Sequence, residues 1–303
     1  MTKKSRRFIL TDILLIGMMV LPLVCGMVLK VIFEQPSLDG SIVVEGAMIY
    51  FTIPFPLQDI IISEAQINSW LVIITLFGLC LFLTHGVAAK PVTKRQLIAE
   101  WIVEQVDNMV LSNMGDYFKK FAPFIAGMMG LSALSSLLGL LGLFAPTSDI
   151  NIVGGWAILV FFMITYYRAK CGPIGYVKSL AEPVAPLAIL NVISEIATPI
   201  SMAFRHYGNI LAGVVISILV ATGLQGVSET VLGWLPGVLG DIPFLQIGIP
   251  AILSLYFDLF GAGLQAFIFA MLTMMYISGA FAQDDYEKLQ QKKQEKRRKK
   301  QWN

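Results

Sequence analysis

Six stretches of this chain, near residues 8–31, 67–89, 121–144, 152–168, 185–223 and 250–281, run apolar with at most two charged side chains in each. A helix needs about 20 such residues to cross roughly 30 Å of hydrocarbon. The chain is therefore read as an all-α, polytopic membrane protein with about six membrane helices. Its 56% hydrophobic and 14% charged residues and mean hydropathy of +0.73 agree, since ordinary soluble domains carry about 25% charged residues.

Lys and Arg collect on the cytoplasmic side of membrane proteins. Here Lys3, Lys4, Arg6 and Arg7 precede the first span, and Lys90, Lys94, Arg95, Lys119 and Lys120 lie between spans 2 and 3. Arg168, Lys170 and Lys178 lie between spans 4 and 5, and "KKQEKRRKK" ends the chain. The opposite segments hold only acids: Glu34, Asp39, Glu45, Asp59, Glu64, Asp149, Glu229 and Asp241. Both termini are expected in the cytoplasm. Lys30 is an exception that can snorkel from its helix end; Arg205 is the other. The net charge of +2 averages over this asymmetry and points to no nucleic-acid partner. The tail reads as a topogenic, lipid-surface segment.

Residues 1–33 read as a retained anchor, 34–66 as an external loop, 67–283 as the membrane domain and 284–303 as the basic tail. The first span lacks the small-residue cleavage site of a signal peptide. Cys25, Cys80 and Cys171 form no close pair, so no disulfide framework and no metal site is expected. The segment from Glu34 to Asn68 contains "FTIPFPLQD", whose prolines favour a loop or short interfacial pieces. Residues 94–118 are amphipathic, with Leu97, Trp101, Val106 and Val110 apolar and Glu100, Glu104 and Asp107 polar, as in a helix lying along the cytoplasmic interface.

Spans 5 and 6 are too long to stand upright. From Ala185 to Gly223 a continuous helix would measure about 58 Å, and from Pro250 to Ala282 about 50 Å. Both must tilt steeply or break, and Pro199 invites a kink. Wound at 100° per residue, span 5 places Asn191, Ser194, Glu195, Thr198, Ser201, Arg205 and Asn209 within one arc. By the same count Ser254, Asp258, Gly261, Gln265 and Tyr276 share a face of span 6. A charge at mid-membrane costs on the order of 3 kcal/mol and faces a partner or an aqueous cavity. An Arg205–Asp258 ion pair is the plain reading, but it leaves the amides and hydroxyls unexplained. Arginine stays charged in protein, so it acts as a barrier and an electrostatic partner, never a relay. Asp258, Glu195 and His206 can titrate, as groups on proton paths do.

"PISMAFRHYGNILAG" and "FGAGLQAFIFAMLTMMYIS" closely resemble the two signature segments of subunit a of the F-type ATP synthase. "QINSWLVI", "KRQLIAEWIVEQVDNMV" and "GPIGYVKSLAEPVAPLAILNVISEIATP" resemble the same family in matching order, over roughly residues 66–281. The resemblance implies a steeply inclined helix hairpin packed against a rotor ring of c subunits. It implies that Arg205 attracts each ring carboxylate and blocks a short circuit, and that Asn209 and Gln265 lie beside it. Glu195 matches an acid near the cytoplasmic outlet. Three positions depart from the family: Val214 where Glu or His is common, Asp258 where His or Glu is common, and His206 in place of Leu. Asp258 is assigned to the external inlet, with His206, Asn191 and Ser201 as further path candidates. The implied partners are the c-ring, the peripheral stalk subunit b, the F1 sector and the bilayer of a bacterial inner membrane.

ATP chemistry is left to partners, because no Gly-Lys dipeptide and hence no P-loop occurs. The chain is non-catalytic by itself, and no cofactor is expected. Two other classes compete with this reading. A secondary transporter would use Arg205 to bind an anionic substrate, but no internal repeat is found. An intramembrane enzyme would use Asp258 and His206, which lack a convincing nucleophile and base spacing.

Overall fold

The computed structural model describes residues 3–33, 46–56, 59–87, 93–172, 188–232, 252–253, 255–282, 286–287 and 291. Most of the basic tail, Ser254 and Lys178 lie outside them, as does the side chain of Asp258. The described chain is all-α apart from one hairpin, and six of its helical segments are long and apolar enough to cross a membrane.

Helix α1 (Lys3–Phe33) packs along α2 (Glu64–Thr84). Small residues let them approach: a Cβ on Gly26 would lie 3.0 Å from Leu71, and one on Gly78 3.3 Å from the Met18 backbone. Both ends of α1 are tied down. Near its start Asp12 accepts from Arg95 Nη1 at 2.9 Å and lies 3.2 Å from His85 Nδ1. Near its end Lys30 does more than snorkel: its Nζ donates to the Gly142 carbonyl at 2.5 Å.

The segment before α2 is not simply a loop. Strands β1 (Ile49–Ile53) and β2 (Ile60–Ser63) pair antiparallel, with Ile53 opposite Ile60 and Phe51 opposite Ile62. "IYFTI" and "IIIS" are β-branched and aromatic. Pro54 and Pro56 fall in the connection, where no ladder N–H is required of them. The ladder continues into the helix, because Glu64 N donates to Met48 O at 2.7 Å.

Helix α3 (Lys94–Met114) is capped by Thr93, whose hydroxyl accepts from Gln96 N at 3.3 Å. It ends at Gly115, whose φ of +79° is open to glycine at no steric penalty. Its second half buries Val106, Val110 and Met114, whereas Leu97 and Trp101 in the first half are exposed. The two apolar groups therefore do not share one buried face. A 3-10 turn (Asp116–Phe121) leads into α4 (Ala122–Leu137), and a second (Leu138–Leu141) ends at Gly142. Helix α5 (Ile150–Lys170) starts at Asp149, which caps Asn151 N at 2.9 Å.

Helix α6 (Ala188–Leu232) is 45 residues long and continuous through Pro199. At 1.5 Å per residue it measures about 67 Å. A break is thereby ruled out over these residues, and only inclination or curvature can fit it to a bilayer. Span 6 is built differently from an even helix: a π-helical turn (Tyr256–Gly261) precedes α7 (Ala262–Ala280). The core is formed by α3, α4, α5 and α7 around Val110, Ile125, Val160, Phe269 and Met274, to which α6 adds only Met202. Among the described spans α7 is the most buried and α6 the least.

Candidate functional site

One buried side chain sets the rotation of α6. His206 is fully buried, with Nε2 3.4 Å from Ser132 Oγ of α4 and its ring edge-on to Trp156 and Phe269. Met202 and Ala203 are buried on the same flank. Successive residues are 100° apart on a helix, so inward His206 turns Arg205 outward. Arg205, Ser201 and Asn209 are exposed, and Asn191 and Glu195 are half-buried. No described side chain forms an ion pair with Arg205.

On the side rich in acids, a cavity of about 650 Å³ runs from Lys30, Glu64 and Phe144 to Asn209, Gly261 and Leu264. It therefore reaches within one helical turn of Arg205. The α6 helix and the π turn form its inner wall and meet closely, since a Cβ on Gly213 would lie 3.3 Å from Phe257 Cβ. Gly261 leaves room beside Asn209, whose Nδ2 would be 3.8 Å from an added Cβ. Gln265 is buried on α7, one turn beyond. The backbone of Asp258 lies within the π turn. Such a turn closes i to i+5, so Asp258 is displaced from the position that an even 100° count from Gln265 gives.

On the basic side Glu195 forms an ion pair with Arg168 of α5. A small cavity of about 60 Å³ there is lined by Thr165, Arg168, Glu195, Thr198 and Tyr276. The two cavities thus open beside opposite ends of one polar stripe. Glu195 and Asn209 lie 10 residues before and 4 after Arg205, about 15 Å and 6 Å along the axis.

A family model described as ATP synthase A chain matches residues 66–278. The chain belongs to the ATP synthase A chain family. It is 35% identical over 209 residues to ATP synthase subunit a of Bacillus pumilus, covering 64% of this chain and 82% of the relative. The Priestia megaterium protein of the same name is 32% identical over 233 residues, 72% and 93% of the two chains. A sodium-ion-specific subunit a from Propionigenium modestum is 27% identical over 287 residues, 84% and 90%. Family membership and the six spans make this a multi-pass membrane protein of ion transport.

Beyond the family's signature residues, the fold brings in further groups. Arg168, a topogenic charge by sequence, also pairs with Glu195. Glu64 and Asn68 form a polar junction with the loop after α4: Phe144 N donates to Glu64 Oε1 at 3.3 Å and Asn68 Nδ2 donates to Phe144 O at 2.9 Å. A weak signal existed for Glu64, an acid directly before an apolar run on the acid-rich side.

His206, in contrast, lines neither cavity and packs against Ser132, Trp156 and Phe269. The physical test is His206→Leu, which keeps the volume and removes both ring nitrogens. Leaving Ser132 without its partner costs about 1–2 kcal/mol. ATP-driven ion pumping is expected within about twofold of the parent at equal assembly, since the imidazole lines neither cavity. A tenfold loss in fully assembled complexes would put His206 on the ion path.

Proposed function

We propose that this chain is the proton-translocating stator subunit a of an F-type ATP synthase, forming two half-channels against a ring of c subunits. One observation carries the reading: α6 exposes Arg205 between two cavities, a larger and mainly apolar one that holds Lys30, Glu64 and Asn209 on its wall, and a smaller one lined by Arg168, Glu195 and Thr198. Protons enter from outside through the larger cavity past Asp258, Asn209 and Gln265, and neutralise a ring carboxylate close to Arg205. After a turn of the ring they leave past Ser201, Asn191 and Glu195 to the cytoplasm. Arg205 favours the ionised form of the arriving carboxylate and, being unable to deprotonate, keeps the two paths separate. Each charge moved along 100 mV releases about 2.3 kcal/mol.

The exposed face of α6 supports a large partner within the bilayer, since a cation that faces lipid alone is strongly disfavoured. That partner is the c-ring. Stalk subunit b and the F1 sector complete the assembly, in a bacterial cell membrane with both termini cytoplasmic. The anchor, external segment, membrane domain and tail keep the boundaries given above.

Reconstituted complex in sealed vesicles provides the test. The chain is expected to copurify with a small carboxylate-bearing helical hairpin protein and soluble ATPase subunits, and ATP addition is expected to acidify the lumen without sodium. A strict sodium requirement would replace the proton by Na⁺. Purification as a homo-oligomer that transports an anionic solute alone would replace the stator reading by that of a transporter.

A further inference from the structure

We infer that Glu64 is the outermost proton-accepting group of the inlet, a position that none of the signature residues fills. The inference rests on reading the acid-side cavity as the inlet. Among the described residues Glu64 is the one acid that is buried, at 3% exposure, and it forms no ion pair with a described side chain. Burying a carboxylate in this way is unfavourable without compensation, and its visible compensation is one hydrogen bond, from Phe144 N at 3.3 Å.

What Glu64 has instead is access to the cavity of about 650 Å³ that ends at Asn209 and Gly261. At about 30 Å³ per molecule in the liquid, that volume accommodates roughly 20 waters, enough to connect the carboxylate with the ring-facing end. Lys30 of α1, Tyr207 of α6 and Tyr256 of the π turn are the other described titratable groups on its wall. The lysine is engaged with Gly142 O, and the two tyrosines offer hydroxyls. Glu64 is therefore the one described carboxylate on that wall. The hairpin fixes it there, because its backbone N–H extends the β-ladder to Met48 O while its side chain begins α2.

The step is a simple relay. A proton from external water adds to a carboxylate oxygen of Glu64, then passes to cavity water and on towards Asn209 and the ring carboxylate. Glu64 returns to its ionised form, and no other reactant is consumed.

A purely structural Glu64 would serve only to hold Phe144 N, and glutamine retains the accepting oxygen for that purpose. The experiment compares Glu64→Gln, Glu64→Asp and Arg205→Ala in the reconstituted ATP synthase, measuring assembly and ATP synthesis driven by an imposed proton gradient across a range of external pH. Glu64→Gln is expected to assemble normally and to slow synthesis about tenfold, most strongly at high external pH where protons are scarce. Glu64→Asp is expected to restore the rate to within about threefold. Parental rates in Glu64→Gln, with Arg205→Ala uncoupled, would overturn the Glu64 assignment and leave the half-channel reading intact. Failed assembly of Glu64→Gln would also overturn it, since the retained hydrogen bond would then not account for the loss. Coupled pumping that persists in Arg205→Ala would instead overturn the half-channel reading itself.

Discussion

Vesicles containing the complex with Arg205→Ala are expected to lose ATP-driven pumping to background. Two unit charges 4 Å apart attract by about 4 kcal/mol at an effective dielectric constant near 20. Losing most of that attraction corresponds to a 10²- to 10³-fold loss, at about 1.4 kcal/mol per factor of ten. Because Arg205 under the proposed function also keeps the two paths apart, passive proton leak through the assembled complex is expected to rise in the same variant. Arg205→Lys keeps the charge but not the planar fork, so partial pumping with a low leak is expected. Fluorescence quenching of a pH-sensitive dye reads both quantities. Full pumping in Arg205→Ala would remove the foundation of the proposed function.

The second large effect is expected at Asp258. Under the proposed path it passes protons from the inlet to the ring, and asparagine has nearly the same volume but does not titrate. Removing a positioned acid–base group typically costs 10² or more in rate, so Asp258→Asn is expected to reduce proton-driven synthesis on the order of 100-fold at unchanged assembly. Asp258→Glu is expected to retain about a tenth of the rate or more, since the carboxylate survives with a longer reach. Synthesis at the parental rate in Asp258→Asn would show that protons bypass the π turn. A comparison with Glu64→Gln then orders the two groups. If both lie on one path, the double variant is no slower than the slower single one.

Much of the architecture was legible because membranes impose a length on apolar runs. The six spans, the excess length of α6 and the polar stripe through Arg205 all follow from counting residues at helical geometry. Three elements were not legible for physical reasons. The hairpin at Ile49–Ile53 and Ile60–Ser63 is shorter than the prolines beside it are conspicuous, so local turn signals outweighed strand propensity. The π turn at Tyr256–Gly261 leaves no compositional mark, and an even helical count passes over it. The pairing of Arg168 with Glu195 joins two helices, and separation along the chain conceals such contacts. For His206 the sequence offered both packing and titration. Its burial against Ser132, Trp156 and Phe269 favours packing, and makes it the residue that aims its charged neighbour outward.

The unbroken run of α6 from Ala188 to Leu232 has a mechanical consequence. Glu195, Arg205 and Asn209 are mounted on one covalent rod, so their spacing and angular offsets cannot be adjusted independently by the hinges or lids on which gated transporters rely. A single insertion between residues 196 and 204 would swing Glu195 about 100° away from its present bearing relative to Arg205. Under the proposed function the subunit then resembles a fixed commutator, in which contact is made and broken only because something else turns past it.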